Sequence, residues 1–160
     1  MAFAQPTGTD TFEIRSDARR FENWEFNCAT RIGLGVAARY AAGIGLEPIW
    51  QRVQSLASRL RARLREIPGI TVCDRGRTQC GIVTFLGHGI GPEAVKVALA
   101  RKRINVSVSD AAWTRIDMDA RGIPALVRAS VHYYNSEEEV DAFAAAVAAL
   151  LGKSGATPPE

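Results

Sequence analysis

Residues able to do chemistry are few in this chain, and the one best placed by its neighbours is Arg128. It stands in Leu126-Val127-Arg128-Ala129-Ser130-Val131-His132-Tyr133-Tyr134-Asn135, ahead of the acidic run Glu137-Glu138-Glu139 and an apolar helix pattern. A strand alternates its faces, so Val127, Ala129 and Val131 point one way while Arg128 points the other, flanked by Leu126 and Ser130. An arginine fixed on a strand makes a carboxylate receptor, because its planar fork donates two parallel hydrogen bonds to two oxygens. The competing role for such a residue is a salt bridge at the edge of the core.

Other constellations are thin. His88 and His132 are the only histidines, and neither has a metal-ligand partner at helical or hairpin spacing. His132, beside Tyr133 and Tyr134, reads as a structural residue at the strand end rather than as an acid or base. Cys28, Cys73 and Cys80 are odd in number and form no Cys-x-x-Cys pair, which argues against a disulfide scaffold or zinc. No Gly-x-Ser-x-Gly elbow is present, and Gly87-His88-Gly89-Ile90-Gly91 lacks the phosphate-loop ending, so it reads as a mobile connection. Gly33 and Gly35 make a lone Gly-x-Gly inside a helix, where close packing is the simpler reason.

The elements that must position Arg128 follow from periodicity. In a chain of 160 residues, 47% apolar and 23% charged, one ordinary globular domain is expected. Residues 1–20 have no sustained period, and Thr7-Gly8-Thr9-Asp10 favours turn or extended structure, so this segment reads as a tail or arm. A helix is predicted over 28–42, with Ala29, Gly33, Ala37 and Ala41 on one face. A second carries Pro48 in its first turn and runs to about Ile67, before Pro68-Gly69. Its Arg52, Arg59, Arg61, Arg63 and Arg65 accompany Ile49, Val53, Leu56, Leu60 and Leu64 at helical spacing. They therefore read as a solvated face rather than a nucleic-acid stripe, and no aromatic residues interleave for base stacking.

Strand periods then appear at Ile70–Cys73, Ile82–Leu86 and Ile104–Ser109, with a helix from Pro92 to about Arg103 and a loop over Asp110–Pro124. The last helix begins near Ser136, a capping residue, and buries Val140, Phe143, Val147 and Leu150 or Leu151. The expected fold is α/β, a two-layer sandwich in which helices cover one face of a small mixed or antiparallel sheet. No segment has the length of a membrane span and no signal layout opens the chain, so the expected location is cytoplasmic, with no membrane and no nucleic-acid partner.

Several segments together resemble one family. The run Arg128-Ala-Ser-Val-His-Tyr-Tyr-Asn-Ser-Glu-Glu-Glu-Val-Asp is similar to the C-terminal signature of class V aminotransferases, the fold type I pyridoxal-phosphate (PLP) group that includes cysteine desulfurases and isopenicillin N epimerase. Arg20-Phe21-Glu22, Ile44-Gly45-Leu46-Glu47, Ile67-Pro68-Gly69-Ile70 and Gly81-Ile82-Val83-Thr84-Phe85 match in the same order. The resemblance covers about residues 18–151. It implies that residues 21–152 are the small C-terminal domain of a larger PLP enzyme, with tails at 1–20 and 153–160. It also implies a homo-oligomer, commonly a dimer.

On this resemblance the cofactor lysine belongs to a large domain, since Lys96, Lys102 and Lys153 lie in no segment like the cofactor-lysine motif. The chain alone is then expected to be inactive and to hold no PLP covalently. Its contribution would be Arg128, gripping the α-carboxylate of an amino-acid substrate and so helping to orient the bond that breaks. Two departures narrow the chemistry. Glu25 appears where many members have a threonine that reaches the cofactor phosphate, and a carboxylate repels phosphate, so no cofactor contact is carried over. Trp24, Glu25 and Asn27 are instead candidates for an active-site or interface role. The loop Asp110-Ala111-Ala112-Trp113-Thr114-Arg115 lacks the nucleophilic cysteine of desulfurases, which disfavours sulfur transfer and leaves aminotransferase, epimerase or C–S lyase. The alternative is a stand-alone, non-catalytic binding or interaction module that shares the domain fold.

Overall fold

A computed structural model describes residues 4–22 and 25–154, with side chains described through residue 152. The chain divides into two compact units, Met1–Gly45 and Leu46–Glu160. In the first, β1 (Ala4–Pro6) and β2 (Phe12–Ile14) pair antiparallel, and the Thr7–Asp10 segment makes their turn, with Thr7 N–H donating to the Thr11 carbonyl at 3.0 Å. A short 3-10 turn at Ala18–Phe21 follows, and then α1 (Cys28–Ile44). Asn27 caps α1 by accepting from Thr30 N–H at 3.0 Å, and Gly45 ends it at φ 100°, a conformation that favours glycine. No residue of α1 is buried, and a Cβ built at Gly33 would meet nothing within 4 Å. The close-packing reason expected for Gly33 is therefore absent among the described residues.

The second unit is an antiparallel four-stranded sheet in the order β3-β4-β6-β5, formed by β3 (Ile70–Val72), β4 (Ile82–Gly87), β5 (Ser107–Asp110) and β6 (Ala125–Ser130). Helices α2 (Leu46–Arg65), α3 (Pro92–Ala100) and α5 (Glu137–Ser154) pack on one face, as the periodicity predicts. That face buries Val83, Phe85, Val127 and Ala129 against Leu56, Leu60 and Leu64 of α2, Val95 and Leu99 of α3, and Val140, Phe143 and Val147 of α5. Phe85 and Phe143 meet edge to face with centroids 6.2 Å apart. At the start of α5 the Ser136 hydroxyl accepts from Glu139 N–H (3.2 Å) while the Glu139 carboxylate accepts from Ser136 N–H (3.0 Å), a reciprocal cap. Among the described residues no helix is long and apolar enough to cross a membrane.

Three local expectations are corrected. The Asp110–Pro124 segment is not a plain loop: a 3-10 turn at Ala111–Trp113 leads into the short helix α4 (Arg115–Ala120). Six residues with one buried side chain, Met118, are too few to show a period. The Ile104–Ser109 strand begins only at Ser107, because the chain leaves α3 through Arg103 at φ 59°. Ile104 N–H bonds to the Leu99 carbonyl at 3.1 Å, so Arg103 occupies the left-handed position of a helix stop where glycine is favoured, at a cost of about 1–2 kcal/mol. The arginines of α2 are not all solvated. Arg52, Arg59 and Arg63 pair with Glu137 or Asp141 of α5, and Arg61 is only 3% exposed.

Candidate functional site

The sheet face opposite the three helices carries Thr84 and Leu86 of β4, Leu126, Arg128 and Ser130 of β6, and Ser107 and Ser109 of β5. Strand register sets Ser107, Arg128 and Thr84 in one row across it. Half of this face is covered: Met118 of α4 is buried against Leu126 and Cys73, with Leu86, Ala111 and Ile123 packed around them. Arg121 fixes that cover, donating to the Cys73 carbonyl (2.7 Å) and to Asp117 (2.8 Å). The half around Arg128 is open, and Arg128, Ser130 and Ser107 are all exposed.

The Arg128 guanidinium has no hydrogen bond or ion pair among the described residues, so the salt-bridge role is not observed. Both neighbours of β6 are hydrogen-bonded to it, which fixes the backbone from which the guanidinium projects. A buried network anchors the adjoining strand. Arg61 Nε donates to Asp74 Oδ2 at 2.6 Å, and Arg61 Nη2 donates to the carbonyls of Cys80 (2.8 Å) and Ile82 (2.9 Å). Asp74 Oδ1 accepts from both the backbone N–H (2.8 Å) and the hydroxyl (2.6 Å) of Thr84, the residue opposite Arg128. This network escapes a reading of the sequence because Arg61 resembles its exposed neighbours in type. Its one signal is position, since it follows Leu60 at the margin of the apolar stripe.

The remaining candidates lie as follows. Glu25 and Asn27 belong to the first unit; Glu25 is exposed, and Asn27 spends its side-chain oxygen on capping α1. Trp24 lies outside the described residues. His132 is exposed in the turn after β6, stacked on Tyr134 at 4.8 Å, with its N–H bonded to Asn135 Oδ1 at 2.8 Å. All three cysteines are free thiols: Cys28 and Cys80 are exposed, while burial pushes the Cys73 thiol up and keeps it protonated. None lies on the segment from Asp110 to Arg115. That segment instead presents Trp113 at 87% exposure, followed by Ile116 at 95%. Among the described residues no cluster of three or more His, Cys, Asp or Glu could hold a metal.

Among the described residues the lysines do not fit covalently held PLP. A Schiff-base lysine needs a desolvated, neutral amine. Lys96 is ion-paired with Glu93 at 3.3 Å and Lys102 is exposed at the end of α3, while the Lys153 side chain lies outside those described.

Comparison with known proteins gives a consistent relationship. A cysteine desulfurase of Synechococcus elongatus is 34% identical over 128 residues, which cover 80% of this chain and 20% of that protein. The apo structure of a cysteine desulfurase from Thermococcus onnurineus superposes with a TM-score of 0.76 at 28% identity, covering 95% of this chain and 38% of the other. At 23% identity, C-DES with glycine covalently linked to its PLP cofactor has a TM-score of 0.65, covering 90% of this chain and 34% of that one, and shares the fold. The chain thus spans between about a fifth and two-fifths of the length of these proteins. The family model described as aminotransferase class-V matches residues 4–143. With that match over most of its length, the chain belongs to the class V aminotransferase family.

Proposed function

We propose that residues 21–152 act as the small C-terminal domain of a PLP-dependent, class V aminotransferase-like enzyme, in which Arg128 receives the α-carboxylate of an amino-acid substrate. The observation that carries this reading is the free guanidinium of Arg128, exposed on an interior strand held by β4 and β5. The cofactor, its lysine and most of its contacts come from a large domain. This accords with the share of the relatives that the chain spans and with Lys96 and Lys102, the lysines whose side chains are described, which do not suit PLP.

For the reaction, the segment Asp110–Arg115 carries no thiol, and Cys73, the residue after β3, is buried and protonated. That supports transamination, epimerisation of the isopenicillin N epimerase type or C–S lysis over sulfur transfer, although the relatives are named cysteine desulfurases. We further place the parent enzyme in the cytoplasm, where free thiols persist, as a homodimer. Trp24 and Glu25 would serve near the active site or the subunit interface, and Asn27 by shaping that segment through its cap. A stand-alone binding module is the second reading, favoured by the absence of a fitting cofactor lysine among the described residues.

In the complete enzyme, Arg128→Ala removes two charge-assisted hydrogen bonds of about 1.5–3 kcal/mol each, so KM for the amino acid should rise roughly a hundredfold or more. The visible absorbance of the bound cofactor should stay as it is. Unchanged kinetics would overturn the role of Arg128. Mixed with PLP, the present chain alone should form no stable Schiff base; a stable band with turnover of an amino acid would overturn the division of labour.

A further inference from the structure

A cavity of about 370 Å³ lies between the end of β6, the segment Arg103–Asn105 and the first turns of α5. It exists because two strands part early. The β5–β6 ladder ends with Ser107 opposite Arg128, and no backbone bond joins Asn105 to Ser130, which the same register would pair next. Its lining includes the apolar side chains of Leu60, Val140 and Phe143, and its volume suits a small molecule.

The rim carries one cation and one anion that do not neutralise each other. The Arg103 backbone N–H donates to the Ala100 carbonyl at 2.9 Å, and its guanidinium has no hydrogen bond or ion pair among the described residues. Glu139 uses one carboxylate oxygen, Oε2, to accept from Asn135 Nδ2 and Ser136 N–H, both at 3.0 Å, which leaves Oε1 uncommitted. The Asn135 hydrogen bond, followed by that of Ser136, holds the carboxyl below its ordinary range, so it is ionised at neutral pH. A purely anionic guest would meet Glu139 and a purely cationic one would meet Arg103. Arg103 also holds a left-handed conformation, φ 59°, that glycine would adopt without strain, so the backbone gains nothing from an arginine there.

We infer that this cavity is a binding site for a small zwitterion with an apolar side chain, a free amino acid, whose carboxylate meets Arg103, whose ammonium meets Glu139 and whose side chain rests on Leu60, Val140 and Phe143. The site does not use Arg128, so it stands or falls separately from the proposed substrate contact.

The test is titration of the isotopically labelled full chain with L-leucine, followed by amide chemical shifts. The expected result is movement confined to the amides of residues 103–105, 129–131 and 139–143. L-Leucinamide, which lacks the carboxylate, and 4-methylpentanoate, which lacks the amine, should bind at least about tenfold more weakly, the loss expected for one charged contact. Arg103→Gly should weaken leucine binding by a similar factor while raising the urea midpoint, a combination that a merely structural arginine would not produce. Glu139→Gln, which can still cap α5, should weaken it too, and Arg128→Ala should leave it unchanged. Absence of shifts at these amides up to the solubility limit, shifts centred on Arg128 alone, or equal affinity in the Arg103→Gly variant would each overturn the inference.

Discussion

Replacing Asp74 by alanine tests how the sheet is braced beside Arg128. The side chains of Arg61 and Asp74 are 4% and 8% exposed, so removing the carboxylate strands a buried guanidinium with only the Cys80 and Ile82 carbonyls as partners. Breaking a buried pair from one side costs about 3–5 kcal/mol. Thr84 loses an acceptor for both its N–H and its hydroxyl, worth about another 1–3 kcal/mol if nothing replaced it. These losses share one network and overlap, so the expected net loss is about 4 kcal/mol, set against roughly 5–15 kcal/mol for a whole domain. Urea unfolding followed by circular dichroism measures it. The double variant Arg61→Met/Asp74→Leu, which removes both charges and fills the space, should cost at least about 1 kcal/mol less than the two single changes summed. Salt separates this pair from the α2–α5 ladder: 1 M NaCl, with a screening length of about 3 Å, weakens the exposed pairs of Arg52, Arg59 and Arg63 but not the buried one. A loss below about 1 kcal/mol for Asp74→Ala, or strict additivity in the double variant, would refute the reasoning.

Two further outcomes follow from the core and from the acidic face of α5. Phe143→Ala, which empties the site beside Phe85, should lower stability by about 3–5 kcal/mol by the same assay, and a change under 1 kcal/mol would show that the neighbouring helices collapse into the space. Asp141, held low chiefly by Arg59 and then by Arg63, and Glu139, held low chiefly by Asn135, both have folded pKa values below their unfolded ones. Their contribution is therefore complete above the unfolded values, near 4, and is lost as pH falls through the lowered ones. The urea midpoint should be flat from pH 7 to about 5 and decline below about 4, and the decline should be shallower in Asp141→Asn.

Much of this architecture is legible in residue order. Pro48, Pro68-Gly69 and Ser136 mark helix ends because their backbone constraints are local, and alternation over Val127 to Val131 gives β6 its faces without reference to the rest of the chain. The same alternation places Arg128 on the face opposite Val127 and Ala129, while an α-carboxylate role for it is suggested only by the family resemblance. What escapes is set by distant partners. Arg61 becomes a core residue only because Asp74, thirteen positions on, turns back to meet it. The late start of β5 depends on Arg103 taking a conformation that its type disfavours. Helix α4 is held by Met118 reaching Leu126 and Cys73 rather than by any periodicity of its own. The cavity beside Glu139 escapes as well, since it arises where β5 and β6 part and no local pattern marks that point.

The sheet order also governs what thermal motion does to Arg128. β3 and β5 are its edges, three and four residues long, while β6 lies inside with partners on both sides. Local opening starts at edges and exposed termini, so β6 amides should exchange with solvent hydrogen among the slowest in the chain. The guanidinium of Arg128, by contrast, swings on its own side-chain torsions on a picosecond-to-nanosecond scale. A ligand would thus meet a fast-moving hand on a slow-moving arm, and the entropy lost on capture would be that of one side chain, with no share owed to the backbone.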